Sequence, residues 1–487
     1  MFFAVFFVHA TRETVIITDR LGLRPIFTKA QPGGLVWSSE AKGAASGSLA
    51  ASDLDPVGVQ QVVDIGHCLG SRTLLRGVEL APPASIGIWR PGQSGIAWRS
   101  YWGWGRVTQR KGIELEEAVE ELNSLWPAAV HRACAHIPGS AFVMLSGGFD
   151  SRLIAAELAR SRTPFRAVTL GSASSTDLAL AEEVCRRAGA HWRPLVLEPS
   201  NWLEGRRRCV TTIDGSSSLL HLHTGPHTES IGASPVFLDG FWGDALLGDS
   251  LRGDGRFADR RADRGTSRYF YQEDDPAVDA PYFDIPHVEP YLLSQRGRRF
   301  TRMGGMAVTD AAENVLPFVD GPLVRFLMSL PDDLRRGRAL YARFARTRYP
   351  NFFEDLPHSS GHFVEPTRAR AGVIELARGA TSFERPVPLA DYESLLRAPG
   401  WLELLEPYVR PTGWVAELAR DCSTHFALWR DRSFVAENKP WKHRQSREIW
   451  LRAASIEMWA EDMGLIRPTP TREKPSTARR LRIPRLP

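Results

Sequence analysis

The stretch Phe142–Leu153, FVMLSGGFDSRL, constrains this chain more than any other. Phe142, Val143, Met144 and Leu145 lead in as an apolar run. Ser146-Gly147-Gly148-Phe149-Asp150-Ser151 forms a tight polar turn, and Leu153, Ile154 and Leu158 recur at helical spacing. The pattern predicts a buried strand, a glycine turn and a helix start. Such a turn suits phosphate, because glycines let the backbone approach an anion and a helix N-terminus offers unpaired N–H groups at its positive end. A carboxylate repels phosphate, so Asp150 makes sense there if it holds a Mg2+ that the phosphates share. A strand–turn–helix junction with a serine cap accounts for a lone SGG. The full SGGxDS pattern is rarer and points to nucleotide.

The chain's 487 residues suffice for two or three domains and a large core. Hydrophobic residues make up 43% and charged residues 24%, a globular composition. The formal net charge of +5 is small, with much of the basic excess after Ile466, and gives no reason to invoke nucleic acid. Cys68, Cys134, Cys185, Cys209 and Cys422 are scattered without a CxxC pair, which argues against a zinc site or a disulfide framework and fits a reducing cytoplasm. No apolar run reaches membrane-spanning length. The opening MFFAVFFVHA lacks a basic n-region and continues into a strand-like pattern, so it reads as a buried strand rather than a signal peptide.

SGGFDS resembles the pyrophosphate-binding loop of the N-type ATP pyrophosphatases. The surrounding chain is similar to the asparagine synthetase family more than to its tRNA-modifying or argininosuccinate relatives. The resemblance implies an α/β fold, with an open parallel sheet preceded by a small antiparallel β domain and followed by helices. It implies ATP and Mg2+ as cofactors, with Leu145, Ser146, Gly147, Gly148, Asp150 and Ser151 around the nucleotide. The implied divisions are 1–105, a partial amidotransferase-like β domain; 106–466, the ATP-binding domain; and 467–487, a basic tail expected to be disordered.

Phe2–Val8 and Thr14–Thr18 read as a hairpin, and further β-rich stretches run to Tyr101-Trp102. DRLGLRPIF, SSEAKGA and TLLRGVELAPPA…SYW are similar, in the same order, to the second half of the glutamine amidotransferase domain that precedes the synthetase domain in this family. That domain's nucleophile is a cysteine directly after the initiator methionine, using the free α-amino group as base. Here position 2 is Phe2 and the first cysteine is Cys68. Glutamine hydrolysis is therefore not expected, either because the domain is vestigial or because the start lies further upstream. Half of such a sandwich would expose an apolar face under Phe2, Phe3 and Phe6, which a partner subunit or second copy could cover.

Glu114–Ala135 carries apolar residues at helical spacing and delivers the chain to the Phe142 strand. Phe165–Leu170, a helix over Leu178–Ala188 and the strand His191–Leu197 complete a βαβ unit. Ligands of such sheets bind at the carboxyl ends of the strands. By resemblance, main-chain groups near Leu170 and Gly171 read adenine. Asp177 and His191 read as a helix cap and a strand-entry residue. VFLDGFWGDALLGD (Val236–Asp249) is similar to the family's SGxGxDExFGG loop, with Trp242 replacing its second glycine. That implies nucleotide contacts from Gly240 and Gly243, and places Asp244 as the metal-ligand partner of Asp150. Mg2+ takes one or two carboxylates plus phosphate oxygens, which suits two aspartates from different strand ends.

AAENVLPFVDGPLVRFLMSLPDDLR (Ala311–Arg335) resembles the family run xEARxPFLDxxLVEFAxSLPxxLK, and Glu313 is its candidate catalytic residue, a structural salt bridge being the alternative. The family then carries an Arg-x-Lys whose lysine offsets phosphate charge. This chain reads HSSGHFVEP (His358–Pro366) there, leaving Arg368, Arg370 or Lys439 as possible substitutes. The charge-dense Arg252–Pro286 reads as a mobile surface segment. The expected function is an ATP-dependent amide-forming ligase acting on a small-molecule carboxylate or precursor peptide, without nucleic acid or membrane. An intramolecular cyclase, as in β-lactam synthetases or lasso-peptide cyclases, and a non-catalytic ATP-binding scaffold are the alternatives.

Overall fold

The structure, a computed structural model, describes residues 1–248, 288–365 and 444–466 less short breaks, the longest 226–235, together with 367, 374–375, 382–383 and 415. The segment 252–286, Arg368, Arg370, Lys439 and the tail 467–487 lie outside the described residues.

Seven strands form the N-terminal region: β1 (Phe3–Val8), β2 (Glu13–Thr18), β3 (Phe27–Gln31), β4 (Gly34–Ser38), β5 (Glu79–Leu80), β6 (Ser85–Trp89) and β7 (Ala97–Ser100). They make two antiparallel sheets, ordered β1-β2-β6-β7 and β4-β3-β5. Ile16, Ile26 and Ala81 form a small core there. The helices α1 (Ala41–Ala45) and α2 (Pro56–Ile65) follow β4. The ends of α2 are written in sequence: Asp55 accepts from the Val57 N–H, Pro56 opens the helix, and Gly66 closes it at φ 91°. The opening apolar run, expected to be buried, is an edge strand. Among the described residues it pairs with β2 alone, and Phe2, Phe6 and Phe7 remain 51%, 53% and 54% exposed. An edge strand has one neighbour, so half of its packing opportunities are missing.

The second region is built on a five-stranded, all-parallel sheet of β8 (Ala141–Met144), β9 (Phe165–Gly171), β10 (His191–Val196), β11 (Val236–Leu238) and β12 (Glu313–Val315). Its order is β10-β9-β8-β11-β12. The chain enters at the centre on β8, winds outward through β9 and β10, then returns to build β11 and β12 on the other side. The direction reverses between β8 and β11, and a ligand crevice opens at such a point, outside the carboxyl ends of the strands. Helices α3 (Leu115–Cys134), α4 (Phe149–Arg160) and α5 (Thr176–Ala188) flank the sheet. In α3, Leu122, Trp126, Ala129 and Val130 face the core, while Glu116 and Glu117 in the first turn and His131 and Arg132 in the last complement the helix dipole.

Buried guanidinium groups tie the two regions together. The helical segment Val288–Met306 contains a π-helical stretch, Leu293–Thr301. From it Arg298 donates to the carbonyls of Gly22 (2.7 Å) and Ala81 (2.6 Å), and Arg299 to those of Gly70 and Arg72. Arg302, one turn on, donates to Leu23 O at 3.2 Å. The helix Arg444–Asp462 buries Leu451, Ile456, Met458 and Trp459 in a core that also holds Val59 and Val62 of α2 and Cys209 and Val210 of α6 (Arg206–Thr212). No described helix is long and apolar enough to cross a membrane.

Candidate active site

The glycine turn between β8 and α4 lies beside the crevice, and its geometry follows from short side chains. The Ser146 N–H donates to Ser151 Oγ at 3.0 Å, and the Gly148 N–H to Ser146 Oγ at 3.2 Å. The Gly147 N–H donates to Asp177 Oδ1 at 2.6 Å. A Cβ on Gly147 would lie 2.8 Å from Ser359 Cβ and 2.9 Å from Asp177 Oδ1, so only glycine fits. Gly148 precedes α4 without a capping side chain, which leaves first-turn N–H groups for a ligand.

Arg152 fixes the turn from behind. Fully buried, it donates to the carbonyls of Gly147 (2.9 Å), Leu356 (2.7 Å) and Pro357 (2.7 Å). Its guanidinium also lies over the rings of Phe149 and Phe353. Burial pushes its pKa down to about 10, so the group stays charged at neutral pH.

Asp150 projects toward β11. Its Oδ1 accepts from the Tyr341 hydroxyl at 2.9 Å, and its Oδ2 from the Asp244 N–H at 2.7 Å. Asp244 stands in the first turn of α7 (Gly243–Leu246). Burial first, and the neighbouring Asp244 charge second, push the Asp150 carboxyl up to about 7. A cation would relieve that repulsion. Among the described residues no three His, Cys, Asp or Glu side chains gather into a metal cluster. An ion at Asp150 and Asp244 would therefore complete its shell with phosphate and water oxygens, the donor set Mg2+ favours.

The structure brings together the turn Leu145–Ser151, Asp150 and Asp244, and places Gly240 and Gly243 directly against Asp150. A Cβ on Gly240 would lie 2.9 Å from Asp150 Cβ, and one on Gly243 2.7 Å from Asp150 Oδ1. Both glycines let the second acidic loop close on the first. Trp242 between them has φ 68°, a left-handed backbone that disfavours a bulky residue, and stacks on Phe241 at 5.1 Å. Leu170 and Gly171 end β9, with the Gly171 carbonyl accepting from the Leu197 N–H at 2.9 Å.

Glu313 is not brought to this site. It pairs with Val236 at the start of β11, whereas Asp244 follows the carboxyl end of that strand. Parallel register therefore sets Glu313 at the opposite end of the sheet. Its side chain is 55% exposed and lies 3.6 Å from Arg24. Asp177, expected as a cap, is not the cap of α5: Ser175 accepts from Leu178 N, and Asp177 is turned to Gly147. Sequence reasoning missed Tyr341 and Arg152, which hold Asp150 and the glycine turn. Their partners are far away in the chain, and only the unusual arginine inside FDSRL gave any local signal.

An open parallel sheet with a glycine turn and two aspartates at its reversal point defines an α/β protein with a candidate ligand site at its strand ends. Residues 122–224 match the family model for asparagine synthase, and residues 1–102 match that for a glutamine amidotransferase domain. Over these two stretches, in this order, the chain is similar to the asparagine synthetase family. The coarse function that goes with them is ATP-dependent amidation of the asparagine synthase kind. No curated protein matches the chain significantly.

Proposed function

We propose that the protein activates a carboxylate as its acyl-adenylate, with Mg2+ at Asp150 and Asp244, and joins it to ammonia or an amine. A carboxylate oxygen attacks the α-phosphorus of ATP and the bond to pyrophosphate breaks. The amine nitrogen then attacks the acyl carbon, AMP leaves with the bonding pair, and the amine gives up a proton. Adenylation supplies the leaving group, while the protein positions the reactants and balances phosphate charge. The carboxylate comes from a small molecule or a precursor peptide.

The observation that carries this reading is the meeting of Asp150 and Asp244 beside the uncapped first turn of α4. Pyrophosphate release, measured across a panel of carboxylates and amines, tests it. Release should depend on substrate and disappear in Asp150→Ala; equal release from both proteins would sink the proposal.

A further inference from the structure

The turn His358–His362, HSSGH, packs against the glycine turn. Ser359 N donates to Gly147 O at 3.2 Å, and the Thr176 hydroxyl donates to Ser359 O at 2.8 Å. Arg152 joins Gly147 O to Pro357 O through one nitrogen. Within the turn, His358 N donates to His362 O and Gly361 N to His358 O, both at 2.7 Å, with Gly361 at φ 86°. The two imidazoles stack at 4.7 Å with their planes 15° apart.

The hydrogen bonds fix the His358 tautomer. Ser360 N donates to Nδ1 of His358 at 3.0 Å, so Nδ1 is the acceptor and the ring proton sits on Nε2. The Ser360 hydroxyl lies 2.7 Å from that Nδ1 and 2.8 Å from Nδ1 of His362, which it serves by donating to the first and accepting from the second. Burial, then His362, Arg152 and Arg338, push the His358 pKa down to about 3, so the ring is neutral. Its edge meets the Phe149 ring at 5.2 Å, and Nε2 lies 3.6 Å from where a Cβ on Gly148 would be. Nε2 makes no hydrogen bond to a described residue.

The glycine turn needs such a donor. The N–H groups of Ser146, Gly147 and Gly148 are spent on Ser151, Asp177 and Ser146. An anion seated at this turn must draw its hydrogen bonds from the first turn of α4, from hydroxyls, and from whatever stands across the turn. His358 stands there with an N–H directed at Gly148.

We propose that the His358–His362 turn forms the phosphate-facing wall of the nucleotide site, with Nε2–H of His358 donating to the polyphosphate of ATP and to pyrophosphate as it leaves. The assignment rests on the ATP reading above. A neutral donor grips the polyphosphate without holding pyrophosphate by full ionic attraction, which favours release.

Calorimetric titration of the full chain with Mg2+–ATP, pyrophosphate and AMP tests it in two variants that split the imidazole. His358→Asn keeps an acceptor at the Nδ1 position and loses the outward donor, whereas His358→Gln keeps a donor at the Nε2 position. His358→Asn should weaken ATP and pyrophosphate about tenfold, as expected for one bond to a charged group, while AMP binding stays within about twofold. His358→Gln should retain most of the affinity. Equal weakening of ATP and AMP, the reverse order of the two variants, or unchanged ATP binding in His358→Asn overturns the assignment and leaves the ATP reading standing. A wild-type chain that binds no ATP overturns both.

Discussion

The backbone N–H of Asp244 donates to Oδ2 of Asp150 at 2.7 Å, so the second acidic loop is built onto the carboxylate of the first. Tyr341 holds the other oxygen. The carboxyl group is thus oriented from both oxygens by the protein itself.

The pH dependence of stability should report this geometry. A carboxyl whose pKa is raised in the folded state stabilises the fold fully below the unfolded value of about 4. That contribution is lost as pH rises through about 7. With chelator present, the thermal midpoint should therefore fall between about pH 5 and about pH 8, and Asp150→Asn should flatten the slope. Asp214, which burial pushes up to about 6, adds a background slope to both proteins. Mg2+ should restore stability at the alkaline end; identical slopes in the two proteins would contradict a raised Asp150.

Arg152→Met should cost about 3 kcal/mol, because carbonyls of Gly147, Leu356 and Pro357 lose their donors together. Urea denaturation measures this. Arg152→Lys should recover little, since one ammonium cannot reach three carbonyls with the guanidinium's planar geometry. A lysine variant as stable as the wild type would show that charge alone suffices.

Gly243→Ala should separate the two acidic loops, because its Cβ would lie 2.7 Å from Asp150 Oδ1. We expect Mg2+-dependent ATP binding to weaken by about tenfold or more, at a stability cost of about 1–3 kcal/mol. Gly33→Ala, whose Cβ would meet nothing within 4 Å, is the control. Equal behaviour of the two variants in titration and melting would refute the packing argument.

Glutamine should not be hydrolysed by this chain through Cys68. That thiol is buried, donates to Gly58 O at 3.5 Å, and burial pushes its pKa up to about 11. A nucleophilic cysteine needs thiolate character and access. Ammonia release from glutamine should be at background in the wild type and unchanged in Cys68→Ser; release that vanishes in the variant would reverse the assignment.

The parts of the site written in consecutive residues were legible before the fold was known. SGGFDS signals a strand, a turn and a helix because apolar run, glycine pair and helical spacing are local properties. Asp150 and Asp244 were readable as a pair because each sits in a short motif that resembles a loop of the same family. Gly240 and Gly243 were readable as part of the loop, and the structure adds that they make room for Asp150. Glu313 misled, because a three-residue strand gives no sign of which end of the sheet it starts from, and register is set by neighbouring strands.

The sequence by itself determined the strand–turn–helix, the caps of α2 and the buried stripe of α3, since backbone preference and periodicity act over a few residues. Only the tertiary structure decided what surrounds the glycine turn. Arg152 grips carbonyls about two hundred residues away in the chain, Tyr341 holds Asp150, and the HSSGH turn closes over Gly147. Such contacts are fixed by how the sheet reverses between β8 and β11 and by where the later helices pack. Neither is encoded in the spacing of neighbouring residues.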